Sequence, residues 1–142
     1  VWLCPCNSMA QAFEPCPDWG MIAPETVMTT LSIRIDFGPD SRIGPGKIAL
    51  LEQIAAEGSI AAGGRALGMS YRRAWELIDE LNGIFGRPVV TPKSGGKKGG
   101  GAALTPLGEA LISRYRAIER AATAAAAEQM DALRTELPAL RR

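Results

Sequence analysis

Between Ser59 and Thr105 the sequence admits very few folds. Ser59 is a good helix N-cap, and residues 60–67 form a short helical stretch. Gly68-Met69-Ser70 then interrupts and restarts the chain: Gly68 stops the first helix, Met69 can pack inward, and Ser70 caps a second helix opening Tyr71-Arg72-Arg73-Ala74-Trp75. Two helices joined by so short a turn must cross steeply rather than run side by side. Gly63 and Gly64 support such a crossing. An interior helical glycine costs about 1 kcal/mol relative to alanine, and that cost is best borne where another backbone comes close. Downstream, Val89-Val90 and residues 102–104 flank the loop Lys93-Ser94-Gly95-Gly96-Lys97-Lys98-Gly99-Gly100-Gly101, a cationic hairpin tip without an acid. The expected fold class is therefore α+β, mainly α: a winged helix-turn-helix with an N-terminal strand, a two-stranded wing and a long C-terminal helix.

The remaining segments fit around that unit. Leu31, Ile33, Ile35 and Phe37 alternate with Ser32, Arg34 and Asp36, which predicts a half-buried strand ending at the turn Gly38-Pro39-Asp40-Ser41. Pro45 suits a first helical turn, and Ile48, Leu51, Ile54 and Ala55 recur at helical spacing up to Gly58. In the helix after Ser70, the spacing puts Ala74, Leu77, Ile78 and Leu81 on the buried face. Trp75 is expected to anchor the core; stacking on a sugar-phosphate edge is the alternative. Thr105 and Pro106 start a last helix with no strong breaker before Pro138, about 32 residues or about 48 Å long. Leu111, Tyr115, Ile118, Ala122 and Ala125 lie along it at the spacing of a packing seam, read as a homodimer interface. The organisation expected is a loosely docked or disordered arm (1–30), the winged unit (31–105), the dimerisation helix (106–137) and a tail (138–142).

Charge placement matters more than total charge. The 142 residues carry a formal net charge of only +1. Residues 87–105 hold Arg87, Lys93, Lys97 and Lys98 and no carboxylate, whereas the first 33 residues hold Glu14, Asp18 and Glu25 and no Lys or Arg. Catalytic groups are scarce. There is no histidine, so Ser/His/Asp and Cys/His arrangements are excluded. Asp79 and Glu80 are adjacent and point to different sides of a helix. Gly96-Lys97 is followed by Lys98 rather than Ser or Thr, which fails the nucleotide-loop pattern. Cys4, Cys6 and Cys16 are an odd set in a chain without a secretion signal, and suit free thiols better than a disulfide framework or a metal site. We expect no enzyme activity, no cofactor, no metal, no membrane partner and a cytoplasmic location.

The partner expected is double-stranded DNA. Ser70, Tyr71, Arg72, Arg73 and Glu76 would face it from the second helix, where an arginine can reach guanine O6 and N7 or a phosphate. Arg65, Lys93, Ser94, Lys97 and Lys98 would hold flanking phosphates. The alternative is a winged protein-interaction module that does not bind DNA, which the low net charge and the acidic arm would suit.

Gly58-Ser59-Ile60, the run Gly68-Met69-Ser70-Tyr71-Arg72-Arg73-Ala74-Trp75, Ile78-Asp79-Glu80-Leu81-Asn82 and the stretch from Ser94 to Thr105 resemble the DNA-binding half of the ModE family of molybdate-responsive regulators, a half related in fold to the LysR-type helix-turn-helix. The resemblance covers about residues 31–125. It implies that Ser70, Tyr71, Arg72 and Arg73 open a recognition helix, that Lys93, Lys97 and Lys98 are wing contacts, and that the long helix pairs two subunits. Full-length members carry C-terminal oxyanion-binding modules. As the chain ends at Arg142, the expectation is a role tied to molybdenum metabolism in which molybdate acts through a separate protein or not at all.

Overall fold

The computed structural model describes residues 29–94 and 100–137. In chain order the elements are β1 (Ile35–Gly38), β2 (Ser41–Ile43), α1 (Pro45–Glu57), α2 (Ile60–Ala66), α3 (Tyr71–Phe85), β3 (Val90–Lys93), β4 (Gly101–Leu104) and α4 (Pro106–Thr135). β1 pairs antiparallel with β2, and β3 antiparallel with β4, as two separate two-stranded sheets. This is a winged helix-turn-helix: α2 and α3 are the crossed pair, and β3–β4 is the wing.

Local chemistry sets the helix boundaries. Pro45 opens α1, and Gly58 closes it in the left-handed region (φ 68°), donating its N–H to the Ile54 carbonyl at 2.8 Å. The Ser59 hydroxyl accepts from Ala62 N–H, the Ser70 hydroxyl from Arg73 N–H, and the Thr105 hydroxyl from Gly108 N–H. Each cap satisfies a donor that the helix itself leaves unpaired. Gly68 turns the chain between α2 and α3 at φ 68°. The Met69 N–H then donates back to Gly64 O at 3.0 Å.

The core forms around α1, whose Ile48, Leu50, Leu51 and Ile54 are fully buried. Ala74, Leu77, Ile78 and Leu81 reach it from α3, Val89 and Ala102 from the wing, and Leu111 and Tyr115 from α4. Because α1 touches α2, α3, β4 and α4, its buried arc is wider than one stripe. Leu50 is buried for that reason, while Ala55, expected inside, is exposed. The two glycines of α2 serve different neighbours. A Cβ on Gly64 would lie 3.2 Å from the Ala74 Cβ, at the expected α2–α3 crossing. One on Gly63 would lie 3.0 Å from the Ile54 backbone nitrogen, against α1 instead.

The N-terminal strand differs from its expected form. Leu31, Ile33 and Ile35 are half-buried in alternation, but the paired strand is only Ile35–Gly38, and it has a partner, β2, that carries no periodic signal. The register shifts between Asp36 and Gly38. That irregularity rolls Phe37 out of the inward set, leaving it 59% exposed and edge-on to Phe85.

Two junctions place the wing and α4. Val89 is fully buried and its N–H donates to Asn82 Oδ1 at 2.9 Å, while the Val89 carbonyl accepts from Thr105 N–H at 3.0 Å. The Ala102 N–H donates to Gly58 O at 2.7 Å, tying β4 to the end of α1. On α4, the Tyr115 hydroxyl donates to Ile33 O at 2.7 Å, and burial pushes its pKa up, keeping it a donor. Arg116 grips Glu52 of α1 with two hydrogen bonds of 2.7 Å and meets Glu119 at 2.6 Å. Beyond Tyr115, α4 continues for about 30 Å with no buried residue.

Candidate nucleic-acid interface

The inward arc of α3 is taken by Ala74, Leu77, Ile78 and Leu81, so the rest of its surface is open. Ser70, Tyr71, Arg72, Arg73 and Glu76 are all exposed, as the helical spacing predicts. Arg72 is the most outward, with 90% of its side chain accessible. Both arginines lean on the same acid: Arg72 Nε meets Glu76 Oε1 at 3.2 Å, and Arg73 Nη1 meets Glu76 Oε2 at 3.2 Å. The Arg73 hydrogen bond, helped by that from Arg72, holds the Glu76 carboxyl below its ordinary pKa. Arg73 Nη1 also lies 3.8 Å from Glu80, whose other oxygen meets Lys47 Nζ at 2.8 Å. Exposed pairs of this kind are weak and exchangeable, so a phosphate or a guanine edge can replace the carboxylate as the arginine's partner.

α3 separates two depressions. On one side, a cleft of about 750 Å³ gathers Arg34, Arg42, Lys47 and Arg73, with Asp40 and Glu80 among them. Lys47 is fixed there by a 2.6 Å hydrogen bond to Arg42 O. Sequence reasoning missed this second cationic flank, because Arg34 and Arg42 reach Arg73 only through the β1–β2 pairing. On the other side, a groove of about 530 Å³ runs between α3 and the wing, bordered by Tyr71 and Trp75 on one wall and Val90 to Pro92 on the other.

Trp75 is a correction. Expected in the core, it is 39% exposed and packs edge-to-face on Tyr71 with ring centroids 6.2 Å apart. Gly64 closes on Ala74 so tightly that the helix crossing has no room for an indole, and Trp75 sits on the wing-side flank.

Of the flanking residues, Arg65 is exposed in the last turn of α2, and Lys93 and Ser94 are exposed at the end of β3. Lys97 and Lys98 lie outside the described residues, as do Cys4, Cys6 and Cys16. The expected seam on α4 divides. Leu111 and Tyr115 are 9% and 3% exposed and belong to the subunit's own core, because the first turns of α4 lie on α1. Ile118 is 45% exposed, Ala122 half-buried and Ala125 exposed, so a partner can meet only this distal part. Among the described residues no group of three or more His, Cys, Asp or Glu is placed to hold a metal ion, and no helix is long and apolar enough to cross a membrane.

No protein-family model matches the chain. Three curated proteins are similar to much of it. The molybdenum-pterin-binding protein MopB of Rhodobacter capsulatus is 49% identical over 79 residues, 56% of this chain and 29% of MopB. MopA of the same organism is 43% identical over 101 residues, 71% of this chain and 37% of MopA. The DNA-binding transcriptional dual regulator ModE of Escherichia coli K12 is 45% identical over 89 residues, 63% of this chain and 32% of ModE. Over this region the chain is a homologue of ModE and the Mop proteins. It spans about a third of the length of these ModE-type relatives. A crystal structure of a CbnR DNA-binding-domain–DNA complex superposes with a TM-score of 0.50 at 19% identity, covering 62% of this chain and 95% of that one, which makes the fold that of a LysR-type winged helix.

Proposed function

We propose that this ModE homologue is a DNA-binding transcription regulator, not an enzyme, acting as a cytoplasmic homodimer with its targets in molybdenum metabolism. One observation carries the reading: Arg72 and Arg73 stand exposed at the capped entrance of α3, partnered only by exchangeable surface carboxylates. α3 is then the recognition helix in the major groove, β3–β4 the wing, and Arg65, Lys93 and Ser94 the flanking phosphate contacts. The relatives support this, since one is named a DNA-binding regulator and others are named for molybdenum. The distal face of α4 around Ile118, Ala122 and Ala125 is the surface for a second copy. Two recognition helices about 34 Å apart call for a roughly palindromic operator.

The test is fluorescence anisotropy on duplexes selected from a random pool, over a range of salt. If each subunit neutralises about three to five phosphates, log K falls with log salt at a slope of about −5 to −9. Arg73→Ala relaxes the base preference, whereas Lys93→Ala weakens all duplexes alike. A slope near zero, or no binding at low salt, overturns the reading in favour of a protein-interaction module.

A further inference from the structure

The groove between α3 and the wing has a composition that the base-reading face does not explain. Two large aromatic side chains form its α3 wall, and both stay in the open: Tyr71 is 57% and Trp75 39% exposed. A tryptophan or tyrosine this close to a core ordinarily buries its ring and finds a partner for its polar atom. Here the rings touch each other edge-on, 86° apart, and neither the Tyr71 hydroxyl nor the Trp75 indole N–H has a hydrogen-bond partner among the described residues. Thr91 and Pro92 of the wing stand opposite, and Ser59 also borders the groove. No carboxylate lines it. Arg72 adjoins one rim, next to Tyr71, and Lys93 the other, next to Pro92. An apolar trough with two free donors, a cation at either edge and no acid complements a polymer that alternates apolar sugar with anionic phosphate. It does not complement an acid-free apolar peptide, which would leave both donors unpaired.

We propose that this groove seats one sugar-phosphate strand of the duplex, the strand that passes between recognition helix and wing, with the Trp75 indole packed on a deoxyribose and the Tyr71 hydroxyl donating to a phosphate oxygen. This inference rests on the DNA-binding reading and adds to it a sequence-independent clamp made of uncharged groups. Such groups release no counterions, so their contribution differs from that of the arginines in one measurable respect: it does not change the salt slope.

The experiment compares wild-type protein with Trp75→Ala, Trp75→Phe and Tyr71→Phe by anisotropy on the selected duplex and on a random-sequence duplex, at several salt concentrations. Circular dichroism checks that each variant is folded. The expected result is that Trp75→Ala weakens both duplexes to a similar extent, by roughly tenfold, a value in line with aromatic stacking on nucleic acid. The salt slope stays the same, Trp75→Phe retains most of the affinity, and Tyr71→Phe loses a few-fold. With Trp2→Phe and Trp19→Phe in the background, DNA also changes the fluorescence of Trp75. Wild-type binding that Trp75→Ala leaves unchanged would overturn the clamp while the DNA reading survives. A loss confined to the selected duplex would overturn it too, by making Trp75 a base reader. Wild-type protein that binds neither duplex would remove the DNA reading itself.

Discussion

Replacing Gly108 with alanine isolates the contact that fixes the long helix to the root of the wing. Gly108 is the third residue of α4 and is buried. A Cβ at this position would run into the Val89 carbonyl oxygen and come within 3.4 Å of the Leu104 Cβ. The Val89 carbonyl cannot simply move aside. It accepts the Thr105 N–H, its side chain is fully buried, and its own N–H is held by Asn82. Gly83 of α3 is the natural control, since it too is helical but nothing lies within 4 Å of its Cβ position. Both substitutions gain up to about 1 kcal/mol of helix propensity. Gly83→Ala should show that gain. Gly108→Ala adds an overpacking cost of about 1–3 kcal/mol and loses or lengthens a hydrogen bond worth about 1 kcal/mol, for a net loss of about 1–3 kcal/mol. The two variants should therefore differ by about 2–4 kcal/mol. With a urea slope of about 1–3 kcal/mol/M for a domain of this size, their unfolding midpoints should separate by about 1 M or more, read by circular dichroism. Equal midpoints would refute the claim that close backbone contact sets the angle between wing and α4.

Two further outcomes follow from the charge pairs. Arg116 hydrogen bonds hold the Glu52 carboxyl below its ordinary pKa of 4.5, so its contribution is fully present above that value and disappears as pH falls through the lowered one. Glu52→Gln should thus cost about 0.5–1 kcal/mol at pH 7, discounted for the partial exposure of both partners, and nothing in strong acid; a pH-independent difference would exclude the ion pair as its cause. Glu76→Gln should release Arg72 and Arg73 and tighten binding to random-sequence duplex, measured by anisotropy at low salt. Unchanged or weaker binding would mean that the carboxylate does not compete with DNA for the two arginines.

The helix boundaries were legible residue by residue, because caps act over one turn. Ser59, Ser70 and Thr105 each accept an N–H three residues on, and that chemistry needs no tertiary partner. The buried stripe of α3 and the exposed Arg72 and Arg73 opposite it follow from 3.6-residue periodicity alone. What lies against each face is another matter. Periodicity put Leu111, Tyr115, Ile118, Ala122 and Ala125 on one seam, but the packing of α4 on α1 ends near Tyr115, and only that packing decides where core stops and free surface begins. Trp75 went to the groove rather than the core because Gly64, on a different helix, occupies the crossing. Likewise β2 and the cationic flank of Arg34, Arg42 and Lys47 arise from pairing over distance, for which three residues of strand carry no pattern. The amino-acid order thus determined the elements and the outward face of α3, through interactions spanning a few residues. The tertiary structure decided which exposed groups share a groove, because burial depends on the neighbour that arrives from elsewhere in the chain.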